Sequence, residues 1–373
     1  MTRDRLTKLY VEITTDCNLD CTMCERRTWG DEPFGAMPPE MFQSLMKQVR
    51  AFPVPPVIHF GGYGEPTSHP QFLEFVRLAK ETGAVVEMTT NGTLLTKKLA
   101  QALIELDMDR IVVSFDGVTP EVYADIRVHS SFKKVVSNFR ELFRLKLRGK
   151  GRHSNPQVGI AFVAMKRNIN DLPKLPTLAT TIGAWDIQVS NVVPHYPEME
   201  AEILYDNALT SNAFRESRWI PTMSLPKMDL NSGTADALGS VFDSRVSVSW
   251  LDSTFSAYND YCKFVQEGYA VVRRDGEVSP CLSLLHNHPI YLYGRRKDVV
   301  SYSLGNIARQ PLREIWESPE YTEFRQKLRD FPFSPCTTCG GCERFASNIE
   351  DCNHNDYPTC GGCLWAQGLV QCP

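Results

Sequence analysis

The segment LYVEITTDCNLDCTMC, residues 9–24, joins a β-rich run to three cysteines spaced C-x3-C-x2-C. Its apolar, β-branched start, LYVEIT (9–14), predicts a buried strand. Cys17, Cys21 and Cys24 stand in the loop after that strand. Four thiolates usually hold a structural zinc ion or an iron–sulfur cluster, so three thiolates predict a metal group with one open position. A fourth cysteine supplied from the C-terminal part of the chain is the alternative.

The composition is that of an ordinary globular protein. The 373 residues are 42% hydrophobic and 23% charged, with a net charge of −4 and a pI near 6.1. This balance gives no electrostatic reason to expect a nucleic-acid partner. The N-terminus has no apolar signal segment and no stretch approaches 18 apolar residues, so we expect a soluble, cytoplasmic protein with no membrane partner.

Six β-rich runs alternate with four amphipathic helical patterns in the first half of the chain. Strands are predicted at residues 9–14, 57–60, 85–90, 110–116, 158–165 and 186–193, and helices at 38–52, 70–83, 96–107 and 132–151. This alternation predicts an α/β fold with a parallel sheet and right-handed crossovers. Periodicity leaves a barrel and an open sheet equally possible. In a barrel the chemistry would lie on the loops after the strands.

Polar motifs follow three further strands. GGYGEP (61–66) follows the second strand, TNG (90–92) the third and SFDG (114–117) the fourth, and Arg127 comes shortly after. Glycines allow the backbone to approach a ligand closely, and the hydroxyl and amide groups can bond to it. Each motif alone is equally typical of a turn. Their repetition after successive strands predicts one shared site.

Together these motifs resemble the radical S-adenosylmethionine (radical SAM) enzymes. The resemblance implies a partial (β/α)6 barrel in which Cys17, Cys21 and Cys24 hold a [4Fe–4S] cluster and SAM chelates the open iron. Reduced ferredoxin or flavodoxin would supply the electron that cleaves SAM, releasing a 5′-deoxyadenosyl radical. Met23 stands where the family usually has an aromatic residue.

The resemblance also implies SAM contacts for individual residues. The GGYGEP residues would contact the SAM amino group, and the residues after the third and fourth strands its ribose or carboxylate. Arg127 could pair with the SAM carboxylate, as arginine commonly does, although a surface arginine is an equal alternative. The implied SAM-binding residues are Gly61, Gly62, Gly64, Glu65, Asn91, Ser114, Asp116 and Arg127.

Nine of the twelve cysteines lie in the last third of the chain. They are Cys262, Cys281, Cys336, Cys339, Cys342, Cys352, Cys360, Cys363 and Cys372. In a reducing compartment such a cluster favours metal ligation over disulfides. Nine thiolates could hold two four-iron clusters with one left over, and Cys336, Cys339 and Cys342 suit one of them. A zinc ribbon from Cys339, Cys342, Cys360 and Cys363 is the alternative.

Four other polar residues in this region are not predicted as ligands. The H-x-H pair formed by His286 and His288 is more typical of a surface, and Asp351 and His354 are interpreted with the same caution.

The spacing Cys262-x13-Gly276-x4-Cys281, with a helical pattern over residues 312–330, resembles the SPASM extension of radical SAM maturases. The resemblance implies one or two auxiliary iron–sulfur clusters, although the later cysteines depart from the usual SPASM spacing. We therefore predict a radical SAM domain over residues 1–194, an irregular bridge over 195–260 and a SPASM-like domain over 261–373.

For the substrate, the start of the chain and its CGGCLWAQGLVQCP end resemble the maturases of tungsten-containing aldehyde:ferredoxin oxidoreductases. The resemblance implies a tungsten–pterin cofactor, or its host enzyme, as the target. One alternative is a SPASM maturase that modifies a ribosomally made peptide or protein side chain by a thioether, a C–C cross-link or oxidation. Such enzymes normally carry a peptide-docking domain before the barrel, and here the first strand begins by residue 9. A non-catalytic iron–sulfur scaffold is the third possibility.

Overall fold

Six parallel strands form the central sheet and lie side by side in chain order. They are β1 (Lys8–Val11), β2 (Val57–Phe60), β3 (Val86–Thr90), β4 (Arg110–Ser114), β5 (Gln157–Ala164) and β6 (Asp186–Asn191). Each strand is followed by a crossover that returns the chain to the same edge, so all the strands end at one face. The predicted α/β fold with a partial barrel of six strands is confirmed.

The computed structural model describes residues 5–30, 33–149, 154–206, 222–225, 231–242, 247–250, 253–254, 262–334, 336–337, 339 and 342–372. The end of the predicted fourth helix, at residue 151, lies outside these ranges. No helix in the described ranges combines the length and the apolar character needed to cross a lipid bilayer.

The helices pack on the outside of the sheet. Four were predicted: α1 (Pro39–Val49), α2 (Phe72–Lys80), α3 (Lys97–Glu105) and α5 (Phe132–Arg148). Their apolar faces are buried against the strands; the rings of Phe42 and Phe75, for example, stack with centroids 4.1 Å apart between α1 and α2. Stacked aromatic pairs add to the stabilisation from area burial.

Two further helices of the barrel region were not predicted, α4 (Pro120–Ile126) and α6 (Leu175–Ile182). Helix α4 begins with a recognisable signal: the Thr119 side chain accepts from the Val122 backbone N–H, and Pro120 occupies the first turn. Both are typical helix starts. At 7 and 8 residues, these helices are too short for a clear apolar period.

Between the barrel and the C-terminal part, the described residues form short elements. They are β7 (Thr222–Leu225), α7 (Ala235–Phe242), β8 (Ser247–Trp250) and β9 (Ser253–Thr254), and the three strands make a small separate sheet. The bridge predicted as irregular therefore contains some regular structure.

The C-terminal part extends the central sheet. After α8 (Lys263–Glu267), β10 (Tyr269–Val272) pairs in parallel with β1, and β11 (Val278–Ser279) pairs antiparallel with β10. Gly276, at φ +88°, allows the turn between them, in agreement with the predicted hairpin. The sheet thus has eight strands, in the order β11-β10-β1-β2-β3-β4-β5-β6.

The remaining elements are β12 (His288–Leu292), β13 (Arg295–Val299), α9 (Leu312–Glu317) and α10 (Pro319–Asp330). The single helix predicted over 312–330 is two helices. Ser318 separates them, because its backbone is extended and its hydroxyl accepts from the Tyr321 N–H at 3.2 Å as the cap of α10.

The last residues of the chain run along β6, at the other edge of the sheet. The Leu369 carbonyl accepts from the Asn191 side chain at 2.8 Å, the Gln371 N–H donates to Ser190 Oγ at 2.9 Å, and the Cys372 carbonyl accepts from Gln188 at 2.7 Å. The C-terminal tail therefore lies over the open side of the partial barrel.

Candidate active site

The cysteine loop leaves the C-terminal end of β1 and is held by its own backbone. The Thr22 N–H donates to the Ile126 carbonyl at 2.9 Å, and the Cys24 N–H donates to the Cys21 carbonyl at 3.1 Å. The Leu19 N–H points at Cys17 Sγ, 3.4 Å away. Cys17, Cys21 and Cys24 all line one cavity at the C-terminal ends of the strands.

Most residues predicted to bind SAM line the same cavity. They are Gly61, Gly62, Gly64, Glu65, Asn91, Ser114 and Arg127. Met23 lines it as well, and the opposite wall includes Trp365, Val370, Gln371 and Cys372 from the C-terminal tail. The loops after β2, β3 and β4 therefore meet the cysteine loop in one cavity, as the repeated motifs suggested.

The GGYGEP loop passes so close to the segment that follows β1 that only glycine fits. A Cβ on Gly64 would lie 2.0 Å from the Thr14 carbonyl oxygen, and one on Gly62 would lie 2.8 Å from Cγ of Glu12. Gly62 also has φ +130°, which side chains rarely adopt. The loop backbone thus lies between this segment and the cavity, where it can approach a ligand.

Glu65 joins the loops after β2 and β3. Its buried carboxylate accepts from the Thr90 hydroxyl at 2.6 Å, from the Asn91 N–H at 2.7 Å and from Thr67. The Asn91 amide in turn donates to Asn18 at 3.0 Å and points at Cys17 Sγ, 3.8 Å away. Because these bonds occupy its carboxylate, Glu65 acts in the described structure as a link between the loops and the cysteine loop.

Arg127 and Asp116, both predicted to contact SAM, pair with each other. The Arg127 Nε donates to Asp116 Oδ2 at 2.6 Å, and its Nη1 lies 3.6 Å from Cys21 Sγ. Asp116 is fully buried, and its other oxygen accepts from the Val163 N–H at 2.8 Å. The structure thus places Asp116 behind the cavity wall, as a support that holds Arg127 beside the cysteine loop.

The thiols of the loop suit a bound metal group. Burial raises the pKa of Cys24 to about 12 and also raises the pKa of Cys17. Such thiols stay protonated unless a metal ion takes the proton's place. Three thiols on one cavity wall, beside backbone and amide groups and the Arg127 guanidinium, fit an iron–sulfur cluster with one exchangeable position.

A second cavity lies between α8, the segment that follows β11 and the C-terminal tail. Five thiols line it, from Cys262, Cys281, Cys360, Cys363 and Cys372. Burial raises the pKa of Cys262 to about 12 and that of Cys372 to about 11, and it raises the pKa of Cys281 well above its usual value. The Trp365 indole N–H also points at Cys372 Sγ, 3.1 Å away. The first two of the nine C-terminal cysteines therefore lie in the same cavity as the last three.

Cys336 and Cys352 lie at a different place, beside Ser334. Burial raises the pKa of Cys336. The Lys297 ammonium lowers this pKa in part, and the charges of Asp351, Cys352 and Cys339 raise it further. The Ser334 hydroxyl lies 2.9 Å from Cys352 Sγ. Cys339 and Cys342 are exposed nearby in the chain. The zinc-ribbon alternative would combine Cys339 and Cys342 from this part of the chain with Cys360 and Cys363, which line the second cavity.

The prediction that His286 and His288 lie at the surface is wrong. Both are buried, His286 with Nε2 at 2.9 Å from the Glu12 carboxylate and its ring over Trp29. They are buried because the chain between β11 and β12 folds over the cysteine loop. The neighbouring side chains, such as those of Glu12, Trp29 and His195, come from positions far earlier in the chain, so no local pattern could have shown this burial.

The surface interpretation is wrong for Asp351, which is buried, and holds for His354. The Asp351 carboxylate accepts from the backbone N–H groups of Ser334, Asn353 and Asn355 at 3.0 Å, and thus stabilises a turn. His354 is exposed.

Comparison with known proteins supports the same assignment. Residues 11–156 match the radical SAM superfamily model and residues 262–343 match SPASM, the iron–sulfur cluster-binding domain. The chain is 32% identical, over 98% of its length and 96% of the relative, to the tungsten-containing aldehyde ferredoxin oxidoreductase cofactor-modifying protein of Pyrococcus furiosus. It is 27% identical, over 95% of its length and 93% of the relative, to the AdoMet-dependent heme synthase of Methanosarcina barkeri.

Among solved structures, SuiB of Streptococcus suis bound to S-adenosylmethionine shares the fold. Its TM-score is 0.58 at 15% identity, and the match covers 90% of this chain and 71% of SuiB. The matching domains and relatives establish a SAM-dependent enzyme with a SAM-binding [4Fe–4S] cluster and auxiliary iron–sulfur clusters. The chain belongs to the radical SAM superfamily and carries the superfamily's SPASM domain in its C-terminal part.

Proposed function

We propose that this enzyme uses SAM-derived radical chemistry to mature a tungsten–pterin oxidoreductase or its cofactor. The observation that carries the proposal is the near full-length match to the Pyrococcus furiosus cofactor-modifying protein, at 32% identity. The match spans both the barrel and the cysteine-rich tail. It therefore includes the C-terminal residues that line the cavity opposite the cysteine loop, where a substrate would lie.

Cys17, Cys21 and Cys24 would hold the SAM-binding cluster, which, when bound and reduced, supplies the electron that cleaves SAM to a 5′-deoxyadenosyl radical. The other residues position SAM. The GGYGEP backbone and Asn91 approach from one side, Ser114 at the end of β4 offers a hydroxyl, and Arg127 offers a cation beside Cys21.

For the auxiliary clusters, the grouping of the thiols supports a specific assignment. One cluster would be held by Cys262, Cys281, Cys360 and Cys363, which line one cavity. The other would be held by Cys336, Cys339, Cys342 and Cys352, of which Cys336 lies close to Cys339 and Cys352. Cys372 is the ninth thiol, and it lines both the second cavity and the active-site cavity.

The test is anaerobic co-expression of this enzyme with a tungsten-containing aldehyde oxidoreductase, in a host that lacks maturation genes for that oxidoreductase. We expect the wild-type enzyme to co-purify with the oxidoreductase and to change the mass of the pterin cofactor released from it. The matched control is the Cys24→Ala variant, which should leave the mass unchanged. Mass spectrometry of the same purified sample also detects any co-purified peptide. Capture and modification of a small precursor peptide, with no change in the pterin, would replace this proposal with the peptide-maturase alternative.

A further inference from the structure

A buried group of three side chains lies beside the cysteine loop and has no part in the chemistry above. Glu25 directly follows Cys24, His195 lies in the loop after β6, and His288 begins β12. They are 2%, 5% and 3% exposed. One ligand atom of each lies within 4.8 Å of those of the other two. Three distant parts of the chain therefore converge on one point.

The two histidines are oriented by backbone carbonyls. His195 Nδ1 lies 3.0 Å from the Pro289 carbonyl oxygen, and His288 Nδ1 lies 3.1 Å from the His286 carbonyl oxygen. A carbonyl oxygen only accepts, so each neutral imidazole carries its proton on Nδ1 and keeps the Nε2 lone pair free. Metal-binding histidines are commonly held in this way, with the second ring nitrogen donating to a backbone carbonyl.

Strict hydrogen-bond geometry leaves the centre of the group only partly satisfied. Among the described residues, both carboxylate oxygens of Glu25 and the Nε2 of His288 lack a partner of good geometry. The Tyr63 hydroxyl, which donates to the Leu282 carbonyl at 3.1 Å, and the Trp29 indole N–H also face the Glu25 carboxylate. Glu25 Oε2 lies 3.4 Å from His288 Nδ1 and 3.9 Å from His195 Nε2. Buried polar atoms are seldom left without a well-formed bond, so this point of the structure fits a bound cation.

We propose that Glu25, His195 and His288 bind a divalent transition-metal ion of the zinc or iron(II) type. Two imidazoles and one carboxylate are the donor set that suits such ions, and three protein ligands leave a coordination position open. Glu25 and His195 also line the active-site cavity, so the open position faces the substrate. There the ion can take an oxygen, nitrogen or sulfur donor of the substrate and orient it toward the cysteine loop. This inference does not depend on which substrate is modified.

Zinc is the probe that tests it. The anaerobic protein, with its iron–sulfur clusters assembled, is equilibrated with zinc sulfate and desalted, and its zinc X-ray absorption fine structure is recorded. We expect a single retained zinc ion with nitrogen and oxygen neighbours at about 2.0–2.1 Å. Glu25→Gln and His288→Ala should each raise the Kd for this zinc roughly tenfold or more.

The matched control is His69→Gln, another buried histidine bonded to a backbone carbonyl, which should keep the zinc. Iron content and circular dichroism establish that each variant is folded and carries its clusters. If a variant fails this check, the wild-type absorption spectrum decides by itself. Zinc surrounded only by sulfur at about 2.3 Å, or bound as tightly by Glu25→Gln as by the wild type, would overturn the proposal.

Discussion

The guanidinium of Arg127 donates from Nε to the fully buried carboxylate of Asp116 at 2.6 Å. The substitution Asp116→Asn would leave a buried cation without its counter-charge. Removing one partner of a buried pair typically costs about 3–5 kcal/mol. We expect that loss in thermal unfolding of the cluster-loaded protein under anaerobic conditions, together with slower SAM cleavage, because Arg127 also faces Cys21.

The matched control for that variant is Asp298→Asn. Asp298 pairs with Arg296 at a similar distance, 2.7 Å, but the two side chains are 54% and 58% exposed. Exposed pairs contribute about 0–1 kcal/mol, so this variant should be nearly neutral. Equal losses for Asp116→Asn and Asp298→Asn would contradict the role given to the buried pair.

The Cys24→Ala variant should abolish 5′-deoxyadenosine formation and keep the iron of the C-terminal domain. The three-cysteine loop lies in a different cavity from the proposed C-terminal cluster ligands Cys262, Cys281, Cys360 and Cys363, so the two sets of clusters should assemble separately. Chromatography of the SAM products and iron analysis measure the two outcomes. SAM cleavage that persists in Cys24→Ala would disprove the assignment of the loop.

Among the C-terminal thiols, Cys360→Ser and Cys372→Ser should behave differently. Cys360 belongs to the proposed quartet around the second cavity, so its loss should remove that cluster's iron and its electron paramagnetic resonance signal on reduction. Cys372→Ser should keep both, because Cys372 is the ninth thiol, bonded to Trp365. Iron loss in Cys372→Ser with retention in Cys360→Ser would reverse the assignment.

Gly64→Ala should disable the GGYGEP loop. The new Cβ would lie 2.0 Å from the Thr14 carbonyl oxygen, so the loop must move away from the segment after β1 and change its position at the cavity. We expect SAM binding, measured by equilibrium dialysis, to weaken roughly tenfold or more, the scale on which misplaced positioning groups act. Gly239→Ala is the control, since its Cβ meets nothing within 4 Å in helix α7. Unchanged SAM binding by Gly64→Ala would show that the loop tolerates the shift.

His59 should make stability depend on pH. Burial, followed by the charge of Lys8, lowers the pKa of His59 from 6.5 to about 4. Between these values the unfolded chain binds a proton that the folded chain does not, so stability falls as the pH falls, by up to about 1.4 kcal/mol per pH unit. The measurement is urea unfolding from pH 7 to pH 5 for the wild type and His59→Gln. We expect a shallower slope for the variant; identical slopes would contradict the lowered pKa.

The sequence predicts the motifs around the site better than the partners of its buried carboxylates. The β/α alternation, the three-cysteine loop and the motifs after β2, β3 and β4 are local patterns, and each reports directly on its own position in a parallel sheet. The partial barrel and most of the cavity wall were predicted for this reason. The roles of Asp116 and Glu65 could not be, because a carboxylate's partner depends on which backbone and side-chain donors lie opposite it in space.

The sequence by itself determined that the chain builds a parallel sheet with its motifs at one edge, since the hydrophobic period and the position of each motif after its strand are local properties. Only the tertiary structure decided that β10 pairs with β1, that the C-terminal tail walls the cavity, and that Glu25, His195 and His288 meet. These contacts join residues far apart in the chain, and their stability comes from burial and pairing that exist only after the chain has folded.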